Sequence, residues 1–229
     1  MLLFRLSAWF LGISGLTLGA VVSAVADEPL TLYEFRETHL AVPVDFRVYA
    51  TTEASANAAA KAAYARIDQL NQIFSDYETG SEAMRLCQAD GPIKVSPELF
   101  FLLDQSLTLS QETDGAFDVT IGPLIKQWRR ARRQKMLPTP AQIAAARAVI
   151  GSQNLKLNAA AQTAEVLKPG MQLDFGGIAK GYVAEEAYQV LAAHGCPRSL
   201  VAVAGDIFAG ETPPNTPAWK IGIAPLDKP

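Results

Sequence analysis

Two spacings of apolar residues alternate along the chain, and each change of spacing predicts a new element. From Glu53 to Phe74, apolar positions Ala56, Ala60, Ala63, Ile67, Leu70 and Phe74 recur every three or four residues, so this stretch predicts a helix. Its many alanines leave room for close packing on a sheet. Ser96-Pro97-Glu98 opens a second helix with a capping hydroxyl, a proline at the first helical position and an acid in the first turn. Leu99, Leu102, Leu103 and Leu107 form its core stripe, and it ends near Thr113. Thr139-Pro140 starts a shorter helix that reaches about Ile150. Alternation with a period of two predicts strands at Phe46 to Ala50, at Leu155 to Leu157 paired with Ala164 to Leu167, and at Met171, Leu173 and Phe175. Ile178 to His194 returns to the helical period through Ala179, Val183, Ala187 and either Val190 or Leu191, with Gly195 as its stop. Ser199 to Ala204 reads as a buried strand, Gly205-Asp206 as a turn and Ile207 to Ala209 as a further strand. Residues 27 to 37 read as a short exposed leader, and Pro213, Pro214 and Pro217 as a surface loop.

The junction of strand and helix at Leu173 to Gly181 carries the densest candidate chemistry. Gly176 and Gly177 remove two Cβ atoms, which allows a sharp turn or the close approach of a ligand. A helix N-terminus behind them brings backbone amides and the positive end of a helix dipole, while Asp174 and Lys180 bracket the turn with opposite charges. That arrangement suits an anion, although a bare Gly-Gly pair also suits a purely structural turn. The pattern is neither a Walker loop nor Gly-x-Gly-x-x-Gly, since Lys180 precedes Gly181. Upstream, Asp114-Gly115 and Gly122-Pro123 enclose Ala116, Phe117 and Asp118 on a tight loop. Tyr77 is the large aromatic of the turn-rich loop Ser75 to Glu82; it serves as amphipathic surface or as a stacking plane for a flat heteroaromatic ligand.

Composition narrows the setting. The 229 residues suit one large domain or two small ones, and a formal net charge of -3 gives no electrostatic case for nucleic acid. Arg5, the apolar run Leu6 to Val22 and Ala24-Val25-Ala26 before Asp27 predict a secretory signal peptide over residues 1–26, hence an exported, periplasmic protein or one on the outer face of the inner membrane. A retained membrane anchor is the alternative. Cys87 and Cys196 either pair or remain two small buried hydrophobes. Neither His39 nor His194 has partners at metal-ligand spacing, which argues against a zinc enzyme. Six Lys or Arg residues between Lys126 and Lys135 surround Trp128; they read as a solvated helix face or as a surface that steers a phosphate or an acidic partner.

Together, Ser75 to Glu82, Asp114 to Leu124, Leu173 to Tyr182 and Ala204-Gly205-Asp206 resemble the ApbE family of FAD:protein FMN transferases, over about Phe35 to Pro225. The resemblance implies an α+β fold related to the T-fold, with residues 27–229 as one flavin transferase domain. It also implies magnesium-dependent transfer of FMN from FAD to a threonine of an acceptor protein, releasing AMP. The FAD contacts it implies are Leu40, Tyr77, Ala116, Phe117, Asp118, Asp174 and Lys180, with the backbone carbonyl of Gly177 as a ligand to Mg2+. A membrane-associated redox protein is the kind of acceptor it suggests. Three departures stand out: the family's Met-Gly-Thr is here Leu40-Ala41-Val42, its Leu-Asn is Leu86-Cys87, and its Gly-Gly-Asp is Ala204-Gly205-Asp206. The sequence also ends at Pro229, ahead of the family's C-terminal magnesium-binding segment, so the domain is expected to be C-terminally incomplete. The expectation is therefore that residues 27–229 bind FAD and transfer FMN only near background. FAD pyrophosphatase activity, and exported FAD binding without transfer, are the alternatives.

Overall fold

The computed structural model describes residues 29–223. The expected signal peptide and cleavage motif lie outside the described residues. Two antiparallel strands open the fold, β1 (Thr31–His39) and β2 (Val42–Ala50), joined by a two-residue turn that pairs His39 with Val42. Residues 31 to 37 are therefore a sheet edge and not an exposed leader. Their mostly polar side chains give no strand signal of their own, and the pairing with β2 makes them a strand. Leu40 and Ala41 at the turn have φ of 54° and 58°, the conformation that matches the twist of a hairpin and that glycine usually supplies.

Helix α1 (Glu53–Phe74) spans the predicted residues and starts with a reciprocal capping box between Thr52 and Ser55. After the Tyr77 loop comes α2 (Glu82–Gln88), a short helix with no sequence expectation, capped by Ser81. The strand β3 (Ile93–Lys94) leads into α3 (Pro97–Glu112). Helix α4 (Gly122–Gln134) begins at the glycine-proline pair, because Pro123 occupies the first turn where its missing N–H costs nothing. Then follow α5 (Pro140–Arg147), β4 (Leu155–Asn158), β5 (Thr163–Val166), α6 (Ala179–Ala193), β6 (Ser199–Val203) and β7 (Asp206–Ala209).

A four-stranded antiparallel sheet runs β1-β2-β6-β7, and a smaller one runs β3-β5-β4. The register sets Val44, Phe46 and Val48 opposite Val203, Val201 and Ser199, all buried on the face that meets α1 and α6. The alanines of α1 allow that close approach: Ala56, Ala59, Ala60 and Ala63 are buried beneath the sheet with Val183, Ala187 and Leu191 of α6. The mixed helices and antiparallel sheets confirm the α+β class. Met171, Leu173 and Phe175 are buried in alternation as expected, yet they form no sheet strand. The segment instead bonds to the Val119 to Gly122 loop, through Asp174 N–H to Val119 O at 2.8 Å and Gly122 N–H to Gln172 O at 3.2 Å. Gly122 is required there, because a Cβ would stand 2.5 Å from Gln172 O. Both cysteines are free thiols, and burial pushes their pKa values up.

Candidate functional site

Three segments converge on a cleft of about 390 Å3: the β1–β2 turn, the loop after α1, and the turn that enters α6. Leu40, Tyr77, Asp174 and Lys180, four of the residues singled out in the sequence, line it together with Phe74, Asp76 and Arg129. Other hollows are as large, notably one of about 500 Å3 on the outer sheet face. That one is lined largely by charges already paired with each other, Arg36 with Asp45 and Arg47 with Glu34. Of these two, the first combines an exposed aromatic with a helix N-terminus.

Local bonding fixes the Tyr77 loop. Ser75 Oγ accepts from the amides of Tyr77 (3.3 Å) and Glu78 (3.2 Å), and buried Ser81 donates to Ser75 O at 2.6 Å while capping α2. The Glu78 carboxylate accepts from Asn71 and Gln72 at the end of α1, both at 3.1 Å. The loop is thereby tied at both ends, and the Tyr77 side chain is left 73% exposed.

Asp174 turns the chain into α6. One carboxylate oxygen accepts from Gly176 N–H at 2.9 Å, and the other takes Arg129 Nη2 at 2.9 Å. Helix α6 then starts without a side-chain cap, so its N-terminal dipole faces the turn uncompensated by a capping group. Lys180, in its first turn, pairs with Asp206 at 2.6 Å, which brings the Ala204-Gly205-Asp206 segment to the edge of the cleft.

Arg129 is the residue that sequence reasoning missed. Its guanidinium bridges Asp76 and Asp174 and lies 4.3 Å from the centroid of the Tyr77 ring. Burial works against its charge, but Asp76 and Asp174 outweigh that and raise its pKa above the ordinary arginine value. The basic run from Lys126 is thus a solvated face at most of its positions, and this one turns inward. The acids it bridges, Asp76 and Asp174, lie 53 and 45 residues away in the chain, so no local pattern singles it out.

Ala116, Phe117 and Asp118 do not line the cleft. Phe117 stands against the glycine turn, where a Cβ on Gly177 would meet its ring at 3.3 Å. The Asp118 carboxylate accepts from Thr120 N–H at 2.8 Å and Thr120 Oγ1 at 2.7 Å, closing its own turn. Gly177 itself is exposed. Among the described residues no cluster of three or more His, Cys, Asp or Glu is placed to hold a metal ion. The Asp174 oxygens are already taken by Arg129 and Gly176, so these residues do not by themselves form a Mg2+ cage.

The fold is similar to that of flavin transferases of known structure. It superposes on the flavin transferase ApbE from Vibrio cholerae with a TM-score of 0.78 at 23% identity, covering 85% of this chain and 64% of that one. The apo flavinyl transferase ApbE of Pseudomonas stutzeri gives 0.75 at 25% identity, over 85% of this chain and 66% of that one. The ApbE family profile matches residues 40–228, and the chain belongs to that family. Among curated relatives, FAD:protein FMN transferases of Klebsiella pneumoniae (strain 342) and Treponema pallidum (strain Nichols) are 29% and 27% identical, over 84% and 88% of this chain. The chain spans 58% of the length of each of these relatives.

Proposed function

We propose that this chain supplies the FAD cleft of an exported FAD:protein FMN transferase. The observation that carries the reading is the convergence of Tyr77, Arg129, Asp174 and Lys180 on the N-terminus of α6. A heteroaromatic ring stacks on the free face of Tyr77, whose other face is covered by Arg129. Lys180 and the α6 amides receive the diphosphate. In the reaction, the hydroxyl oxygen of an acceptor threonine bonds to the FMN phosphorus while the bond from that phosphorus to the AMP oxygen breaks. AMP keeps the electron pair and the hydroxyl proton is released. Lys180 and the amides hold the diphosphate charge and align it for displacement. Phe117 backs the turn at Gly177, and Ala116, Phe117 and Asp118 are assigned to flavin through that turn.

Magnesium would neutralise diphosphate charge and would be held in part by the Gly177 carbonyl, but no step is derived through it because the described donors fall short of a cage. That shortage favours a second reading, flavin binding without transfer. Incubation with FAD, Mg2+ and a threonine-bearing acceptor, followed by in-gel flavin fluorescence, separates them. Residues 27–229 are expected to bind FAD and to label the acceptor only near background. Strong Mg2+-dependent labelling would show that ligands come from elsewhere, AMP release without labelled protein would indicate a pyrophosphatase, and no FAD binding at all would end the proposal.

A further inference from the structure

Charge is distributed very unevenly along this chain. Between Asp118 and Glu165 there is no acidic residue, while Lys126, Arg129, Arg130, Arg132, Arg133, Lys135, Arg147 and Lys156 all fall in that interval. The whole chain nevertheless carries a net charge of -3, so the remainder is strongly acidic. The molecule is therefore electrically polar, with its positive pole at α4. Arg129 points to the cleft and is neutralised by Asp76 and Asp174. Lys126, Arg130, Arg132, Arg133 and Lys135 are exposed and form no ion pair among the described residues.

Large apolar side chains accompany these cations. Trp128 is 45% exposed on α4. At its C-terminus Lys135 adopts a left-handed conformation (φ 52°), and the reversed chain then presents Met136 and Leu137 at 66% and 76% exposure. Exposing three such residues amid five unpaired cations is unfavourable in water and fits an interface that is anionic outside and apolar beneath. The shape decides between partners. Met136 and Leu137 are exposed, and the hollow they line with Gln127, Arg130 and Gln134 of α4 amounts to about 20 Å3, too small to seat a side chain of a folded partner. A folded acidic protein finds no pocket here in which to anchor, whereas a lipid headgroup layer deforms around exposed apolar side chains. No helix among the described residues is long and apolar enough to cross a membrane, so such docking is peripheral.

We propose that the exposed face of α4, with Met136 and Leu137, docks this protein on an anionic phospholipid surface. Arg129 on the same helix reaches the cleft, so docking sets the cleft beside the lipid surface, where an acceptor segment emerging from the bilayer is within reach. The experiment is co-flotation of residues 27–229, which contain every described element and omit the apolar run, with phosphatidylcholine vesicles containing or lacking phosphatidylglycerol. No flavin is added, so the outcome is independent of the transferase reading. Binding is expected only with phosphatidylglycerol, and it is expected to be lost near 1 M salt, where the screening length falls to about 3 Å. Arg132→Gln with Arg133→Gln should lower partitioning about 25-fold, about fivefold for each cation removed from an anionic surface. Met136→Ser with Leu137→Ser should lower it severalfold with all charges kept; circular dichroism unchanged from the parent shows that both variants remain folded. Equal binding to neutral vesicles, or an unaffected arginine variant, overturns the proposal. So does soluble polyglutamate that competes equally against the parent and the Met136/Leu137 variant, which would point to an acidic protein instead.

Discussion

Arg129→Met is the substitution that most directly probes how the cleft is held together. Methionine keeps the length and helix propensity but leaves Asp76 and Asp174 facing each other without a cation. The side chains of Arg129, Asp76 and Asp174 are 30%, 21% and 11% exposed, so water screens the group only in part. A hydrogen bond to a charged group contributes about 1.5–3 kcal/mol, and an exposed cation-π contact about 0.5–1 kcal/mol. Two such bonds and one ring contact, discounted for partial exposure, predict a loss of about 2–4 kcal/mol in a urea titration. FAD affinity should fall as well, by tenfold or more, since two unpaired carboxylates would repel the diphosphate and Tyr77 would lose the group that fixes its ring. Arg129→Lys separates charge from geometry: an ammonium is a point charge that cannot span both acids as the planar fork does, so only part of the stability should return. A methionine variant as stable as the parent, with unchanged FAD titration, would refute the bridge.

Lys180→Met should weaken FAD about tenfold and riboflavin hardly at all, since only FAD brings the diphosphate; equal losses in fluorescence titration would make Lys180 structural. Ala41→Gly should raise stability by about 1 kcal/mol, because Ala41 sits at φ 58° where a Cβ is strained; an unchanged urea midpoint would contradict that turn geometry. His39 adds a pH dependence. Burial lowers its pKa, but hydrogen bonds to Asp68 (2.7 Å) and Glu37 (3.1 Å) outweigh that and raise it, with Lys61 and stacked Tyr64 also around it. Its contribution is then full below about pH 6.5, the unfolded value, and is lost as pH rises through the higher folded value. His39→Gln should flatten that part of the stability profile, and an identical slope in parent and variant would refute the role.

What the sequence revealed depended on whether the signal was local. Helix α1 was legible to its ends because its buried apolar stripe runs its whole length and the turn-rich Ser75 to Glu82 loop follows it directly. The Leu173 to Gly181 junction was legible for the same reason, as an alternating segment, two small residues and a helical stripe. β1 was not, since Thr31 to His39 is mostly exposed and becomes a strand only by pairing with β2. The segment from Met171 to Phe175 showed the right alternation but the wrong partner, because burial on one side is common to sheet strands and to extended chain packed on a loop. Arg129 was hidden among look-alikes. Six basic residues look equivalent until the start of α4 at Gly122 sets the helical phase that turns one of them toward Asp76 and Asp174.

That phase also determines which cation of the cleft a ligand can use. Both are already paired, but unequally. Lys180 and Asp206 form a single contact with side chains 36% and 44% exposed, the sort of pair that contributes about 0–1 kcal/mol. Arg129 holds two less exposed carboxylates and a ring at once, so parting it from them costs several times more. On the proposed reading, an entering diphosphate would displace Asp206 from Lys180 and leave the Arg129 bridge in place. Arg129 then acts as the fixed wall behind Tyr77 while Lys180 is the exchangeable cation at the N-terminus of α6. Binding becomes an exchange of one anion for another at Lys180, which limits its salt dependence. It would also free the Asp206 carboxylate at the edge of the cleft.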